Sequence, residues 1–136
     1  MHIVTIWFMS KNLTPENFLG LFVDELNKGN ISYLLPLYEK DACFVTQLGE
    51  IVTGQENIRQ NLQNFINMKG KLETVVKNVF RAGEIALVIS NWSLNWIAAN
   101  GKALSVSGKA IDVLREQSDG TWSILIDNPW GTEISR

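Results

Sequence analysis

The sequence has 136 residues, of which 46% are hydrophobic and 19% are charged, and its formal net charge is -2. This length is typical of one domain of roughly 100 to 200 residues, and the composition excludes a disordered or collagen-like chain. Twelve Lys and Arg against fourteen Asp and Glu give no excess of basic residues for nucleic acid or an anionic membrane. We therefore expect one globular domain with no nucleic-acid partner and no membrane partner.

Cysteine and histidine usage narrows the chemistry further. Cys43 is the single cysteine, which excludes an intrachain disulfide and a multi-cysteine metal site. His2 is the single histidine and lies at the N-terminus, so a histidine-rich metal site or a Ser-His-Asp triad is not expected. The sequence predicts no cofactor, no metal site and a cytoplasmic, reducing environment.

The first residues are apolar, and we expect them to be neither a signal peptide nor a membrane anchor. Residues 3–9 lack a charged flank and a clear cleavage site, and they are shorter than the roughly 20 residues that span a bilayer. We interpret residues 1–13 as an N-terminal arm or extension. Residues 14–136 are predicted to form a single domain.

Three helical regions are predicted in the first half of the chain. The first begins at Thr14, a helix-capping residue followed by proline, and ends at Gly29. The second, residues 31–38, is interrupted by Pro36 and should form two short turns. The third, residues 54–70, carries an apolar stripe at helical spacing and ends at a glycine.

Strands account for most of the remaining sequence. Two short runs, residues 42–46 and 51–53, precede the third helix. Four longer runs follow it, separated by glycine-containing turns, at about 71–81, 84–98, 102–117 and 122–128. Helices followed by an antiparallel meander indicate an α+β domain, in which a curved sheet covers a layer of helices.

The last hairpin predicts which side chains share a face of the sheet. A two-residue type I′ turn at residues 119–120 would place Val113 opposite Ile126 and Asp112 opposite Asp127. The inner face would then carry Ile111, Val113, Trp122, Ile124 and Ile126. A slip of one residue in the register would instead turn Asp127 inward, because neighbouring side chains alternate between faces.

Several segments together resemble a known family. Residues 38–42, 54–59, 112–124 and 127–131 look like the SnoaL-like, ketosteroid-isomerase-like branch of the nuclear-transport-factor-2 superfamily. The resemblance covers nearly all of residues 14–131. It implies a cone-shaped curved antiparallel sheet wrapped over three N-terminal helices, an apolar cavity, and a homodimer formed through the outer face of the sheet. Members of this family include isomerases, cyclases, epoxide hydrolases and proteins without catalytic activity.

The family's known catalytic groups are not matched. In the ketosteroid isomerases an aspartate base follows the Asp-Ala that opens the first strand, but the matching residues 43–47 contain no carboxylate. A hydroxyl group in that stretch has no neighbouring base to activate it. The Asp-Arg-Asp arrangement of the epoxide hydrolases has no match either, because residues 84–98 contain no arginine.

Because the family's catalytic groups are not matched, the candidate site residues are chosen by their own chemistry and their positions in the predicted strands. Trp92 and Trp96 alternate along one strand, so both indoles point the same way and either contact a ligand or fill the core. Asp127, which faces a second carboxylate across the hairpin, is the candidate base; the alternative is a solvated or ion-paired position. The other candidate ligand contacts are Tyr38, Phe44, Lys109, Asn128 and Trp130.

The sequence leaves two functions open. One is a protein that binds an apolar or amphipathic small molecule and isomerises or cyclises it by general acid and base catalysis. The other is a noncatalytic module for ligand binding or dimerisation, which the missing base and histidine favour. The predicted partners are one small molecule and a second copy of the chain.

Overall fold

The computed structural model of the chain describes residues 12–134. The predicted N-terminal arm, residues 1–13, lies almost entirely outside this range, although Leu13 is described and is buried in the core. No helix within residues 12–134 is long and apolar enough to cross a bilayer.

In the part of the chain that the structure describes, three helices form where the spacing of apolar residues predicts them: α1 is Phe18–Asn27, α2 is Ile31–Leu34 and α3 is Gln55–Asn67. A 3-10 helix, Leu35–Leu37, follows α2 and contains the proline that interrupts the second segment. Gly29 adopts a φ of 76° after α1, as the predicted helix end requires. The three predicted helical regions are confirmed.

The six strands within residues 12–134 belong to one sheet, which is curved and unclosed and has the order β2-β1-β6-β5-β4-β3. The strands are β1 Tyr38–Val45, β2 Ile51–Thr53, β3 Lys71–Ala82, β4 Ile85–Ile97, β5 Ala103–Glu116 and β6 Trp122–Asp127. The predicted α+β fold is confirmed, with one difference. β1 pairs with β6 in parallel, whereas the other pairings are antiparallel.

The helices cover the concave face of the sheet, and the core lies between the two layers. Phe18 of α1 and Ile58 of α3 are fully buried, as are Val88 of β4 and Leu114 of β5. Each such side chain contributes about 1.5–3 kcal/mol through burial of apolar surface. The same packing continues to Trp122 and Ile124, which face inward as predicted.

The hairpin between β5 and β6 has a different turn from the predicted one. The N–H of Gly120 donates to the carbonyl of Gln117 at 3.0 Å, and the N–H of Gln117 donates to Thr121 at 2.7 Å. Residues 118–120 therefore form a three-residue loop, which Gly120 closes with a φ of 85°. The prediction of a two-residue type I′ turn was wrong.

The longer loop shifts the register between β5 and β6. The side chains of β5 that were predicted to face outward therefore face the concave side of the sheet. Trp122 pairs with Glu116, one residue from the predicted partner, and a bulge at Leu125 then restores the predicted pair Val113 and Ile126. The alternation places Ala110, Asp112 and Leu114 on the concave face, where all three are buried. The prediction that Ile111, Val113 and Ile126 face inward was therefore wrong.

Candidate functional site

A cavity of about 270 Å³ lies between α1, α3 and the concave face of the sheet. Most of its wall is apolar and comes from both layers, including Phe22, Phe44, Leu62, Phe65, Leu94 and Val106. A mostly apolar wall with a few polar groups is typical of small-molecule sites. The polar groups are therefore the part of the cavity that determines its chemistry.

Two carboxyl groups and one phenol line the cavity where β1, β5 and β6 meet. The hydroxyl of Tyr38 donates a hydrogen bond to Oδ2 of Asp127 at 2.6 Å. Asp112 and Asp127 share a second hydrogen bond, and the N–H of Asn128 donates to Oδ1 of Asp112 at 2.9 Å. We call Asp112 and Asp127 the aspartate pair.

The shifted register and the bulge at Leu125 bring the aspartate pair to the cavity, because together they turn both carboxyl groups inward. The parallel pairing of β1 with β6 adds the phenol, since Tyr38 lies opposite Ile124 in that ladder. Three strands thus contribute one functional side chain each.

Burial determines the protonation of these groups. It raises the pKa of Asp112 well above the usual 3.8, and the charge of Asp127 raises it further. Burial also raises the pKa of Asp127, although hydrogen bonds from Tyr38 and Asp112 partly oppose this effect. The pKa of Tyr38 is raised well above 10.0 by burial and by the Asp127 charge. The pKa of Asp112 is thus raised more strongly than that of Asp127, because the hydrogen bonds from Tyr38 and Asp112 stabilise the ionised form of Asp127.

A second wall of the cavity is built from two indoles. Nε1 of Trp92 donates to the carbonyl of Pro129 at 2.6 Å, and the rings of Trp92 and Trp130 meet edge to face with centroids 5.3 Å apart. Gly108 allows this arrangement, since a side chain there would lie 2.7 Å from the Trp92 ring. The indoles are thereby held at fixed positions beside the aspartate pair.

Five of the predicted site residues line the cavity: Tyr38, Phe44, Trp92, Asp127 and Trp130. The sequence left open that a one-residue slip turns Asp127 inward; in the structure the bulge at Leu125 has this effect, because it changes the alternation of side chains after Ile124. The structure thus brings together the candidate base and four of the candidate ligand contacts.

Three other predicted contacts do not line the cavity. Trp96 lies beyond Leu94 along β4, beside Gly70, and Lys109 is exposed because it points to the convex face. The amide of Asn128 bonds to Gly131, donating to its carbonyl and accepting from its N–H, each at 3.1 Å. These bonds hold a chain corner, so the amide is not available to a ligand.

Four polar cavity residues were absent from the sequence-based set: Asn61, Thr74, Ser90 and Asp112. Asp112 was identified as the partner of Asp127 but was expected to face outward with it. Asn61 had a detectable signal, because it lies three residues after Ile58 and four before Phe65, on the apolar stripe of α3.

The raised pKa of Asp112 predicts a pH-dependent stability. The folded chain keeps a proton on Asp112 at pH values where the unfolded chain has lost it, so the free energy of unfolding decreases as the pH rises from about 4 to the raised pKa. Asp112→Asn cannot ionise, yet it keeps an acceptor for Asn128 and a donor for Asp127. We expect this variant to be more stable than the wild type above the raised pKa, because the wild type must then either bury a charge or keep a proton that the unfolded chain has lost.

Urea denaturation at several pH values from 4 to 8 measures this effect. The stability difference between Asp112→Asn and the wild type should grow with pH. Asp41→Asn, which changes an exposed carboxylate on β1, is the matched control and should give a small difference at every pH. A constant difference for Asp112→Asn would show that Asp112 titrates normally in the folded chain.

Comparison with known proteins identifies the family. The model of the SnoaL-like domain matches residues 20–123. The chain belongs to the SnoaL-like domain family. A search of curated proteins found no match to the sequence, so the remaining comparisons are with solved structures.

Solved structures share the fold of this SnoaL-like chain at low sequence identity. A ketosteroid isomerase-like protein from Erwinia carotovora atroseptica has a TM-score of 0.68 and 14% identity, over 78% of this chain and 84% of that one. A protein assigned as a calcium/calmodulin-dependent protein kinase II association domain, from Xanthomonas campestris, has a TM-score of 0.70 and 18% identity, covering 85% and 84%. A protein with a cystatin-like fold from Caulobacter vibrioides has a TM-score of 0.67 and 15% identity, covering 80% of each chain. At these identities the similarity establishes the SnoaL-like fold alone.

Proposed function

We propose that this protein binds a small, mostly apolar molecule in its cavity and isomerises or cyclises it by proton transfer, with Asp127 as the base. One observation carries the proposal. The hydroxyl of Tyr38 and the carboxyl of Asp112 both donate to Asp127, and these two aspartates are the only acidic groups among the described residues that line the mostly apolar cavity. The ketosteroid isomerase-like structural neighbour supports the same reaction class.

The geometry supports a simple proton-transfer cycle. Asp127 accepts a proton from a carbon–hydrogen bond of the bound molecule, and the electron pair of that bond moves into the conjugated system of the substrate. Asp127 then returns the proton to a different atom, so that no net proton is gained or lost. Burial favours both steps, because it raises the pKa of Asp127 towards the range where a carboxyl group both accepts and returns protons.

Tyr38 and Asp112 are positioning residues in this cycle. Their hydrogen bonds hold the Asp127 carboxylate in one orientation and keep it ionised despite its burial. The base thus lies on β6, not on β1, where the family resemblance places the base of the ketosteroid isomerases. This difference explains how a base can be present although residues 43–47 contain no carboxylate.

A general probe tests the proposal without knowledge of the natural substrate. 5-Nitrobenzisoxazole is a small, neutral molecule that opens to a coloured phenolate when a base removes its ring proton. We expect the wild type to accelerate this reaction in proportion to enzyme concentration, and we expect Asp127→Asn to abolish most of the acceleration. Binding of the probe without acceleration would contradict the catalytic proposal.

The noncatalytic alternative also has an observation in its favour. Two hydrogen-bond donors already occupy the Asp127 carboxylate, and donors to a carboxylate lower its basicity. A chain that only binds ligands would use the same groups to recognise a polar atom of the ligand. The probe reaction separates the two functions, because only the catalytic form turns the probe over.

We further infer that two copies of the chain associate through the convex face of the sheet. Val75 and Phe80 on this face are 60% and 58% exposed, and Ile89 and Ile111 lie paired at its centre. Exposed apolar surface of this kind is typical of interaction sites. The neighbour assigned as an association domain supports the same inference.

Ile89→Lys places a charge at the centre of this face and should convert a dimer into a monomer, since an unpaired buried charge is costly. Native mass spectrometry or light scattering measures the change. Asn64→Lys, on the exposed face of α3 and away from the sheet, is the control and should leave the mass of the assembly unchanged. A monomeric wild type at micromolar concentration would contradict the inference.

We also infer that the protein works in the cytoplasm. Cys43 is a free thiol, and burial raises its pKa, so its reactive thiolate form is disfavoured. A reducing compartment is consistent with a chain whose single cysteine is unpaired.

A further inference from the structure

One amide in the cavity wall has no hydrogen-bond partner. Nδ2 of Asn61 is buried, and no acceptor lies within hydrogen-bonding distance of it among the described residues. On the exposed face of the same helix, by contrast, side-chain amides have hydrogen-bond partners. There the amide of Gln60 donates to Asn64 at 3.0 Å, and the amide of Gln63 donates to Asn67 at 2.8 Å.

The unpaired amide is costly for the empty protein. A buried N–H group without an acceptor loses its hydrogen bonds to water and gains nothing in return. The neighbouring cavity residues on α3 are Ile58, Leu62 and Phe65, so a leucine would suit position 61 better if packing alone mattered. A ligand acceptor is the partner that would compensate for this cost.

We propose that Asn61 selects the ligand by donating a hydrogen bond from Nδ2 to an acceptor oxygen of a neutral, otherwise apolar molecule. The inference rests on the proposed ligand-binding function but not on catalysis. It assigns α3 the recognition of a polar atom, while the aspartate pair on the sheet acts elsewhere on the same molecule. An anionic ligand is excluded, because it would lie near the Asp127 carboxylate in an apolar cavity.

A matched pair of probes tests this assignment. α-Tetralone and tetralin have the same carbon skeleton, but only the ketone carries an acceptor oxygen. Equilibrium dialysis gives the affinity of each probe for the wild type, for Asn61→Leu and for Asp127→Asn. We expect the wild type to prefer the ketone by about tenfold, which one hydrogen bond to a buried donor can provide.

The variants separate this inference from the proposed function. Asn61→Leu should lose the preference for the ketone while still binding tetralin, and Asp127→Asn should keep the preference. Equal affinity of the wild type for both probes, or a preference that survives in Asn61→Leu, would overturn the role of Asn61 alone. Failure of the wild type to bind either probe would overturn the cavity as a small-molecule site, and this inference with it.

A second readout needs no ligand. Asn61→Leu removes the unpaired donor and should raise the thermal midpoint of the empty protein by about 4 °C. Asn64→Leu, on the exposed face of the same helix, loses a hydrogen bond to Gln60 and should not raise the midpoint. A gain for Asn64→Leu as large as that for Asn61→Leu would show that the effect comes from leucine in the helix and not from the cavity donor.

Discussion

Asp127→Asn is expected to lower the rate of 5-nitrobenzisoxazole opening by about 10²- to 10⁴-fold, the range that a positioned base contributes. The amide keeps the shape of the carboxyl group and an acceptor oxygen for the Tyr38 hydroxyl. The fold and the cavity should therefore persist while the base is lost. Stopped-flow or steady-state absorbance of the phenolate product measures the change.

The pH profile distinguishes Asp127 from an ordinary surface carboxylate. Because burial raises the pKa of Asp127, the rate should increase with pH through an inflection above the usual 3.8. Asp41→Asn, which removes an exposed carboxylate, should leave both the rate and the profile unchanged. Wild-type activity in Asp127→Asn would eliminate this residue as the base.

Gly131→Ala should destabilise the fold by about 3 kcal/mol, the sum of a left-handed backbone and a steric overlap. Gly131 has a φ of 57°, and a Cβ atom there would lie 2.6 Å from the carbonyl oxygen of Lys109. That oxygen belongs to the backbone of β5 and cannot move without disturbing the sheet. Urea denaturation gives the free energy of unfolding.

Gly83→Ala is the matched control for this experiment. Gly83 has nearly the same φ, 59°, but a Cβ atom there would have no other atom within 4 Å. Gly83→Ala should lower the free energy of unfolding only through the left-handed backbone, by about 1 kcal/mol. Equal losses in the two variants would show that the corner formed by residues 128–131 tolerates the side chain. A larger loss in Gly131→Ala should also change the fluorescence of Trp130, which this corner holds against Trp92.

Local patterns in the sequence were sufficient to predict the elements of the fold. Apolar residues recur at helical spacing along α3. Glycine-containing turns bound the apolar, strand-like runs that become β3, β4 and β5. The parallel pairing of β1 with β6 could not be predicted in this way. It joins segments that are distant in the chain, and neither strand contains a turn signal that specifies its partner.

The site depended on two small backbone features that the sequence does not specify. Asp-Gly at positions 119–120 is compatible with a two-residue turn and with the three-residue loop that forms. The bulge at Leu125 has no proline or glycine to indicate it. Each feature shifts the register by one residue, so together they decide whether Asp112 and Asp127 face the cavity or the convex surface.

The parallel ladder between β1 and β6 also has a consequence for biosynthesis. Tyr38 and Asp127 are 89 positions apart in the chain, so their hydrogen bond cannot form until β6 has left the ribosome. Contacts of such long sequence separation are slow to form. A nascent chain that stops before β6 has an incomplete sheet with an unpaired edge at β1, which chaperones and proteases can recognise. The contact between Tyr38 and Asp127 thus forms only after every strand of the described sheet has been synthesised.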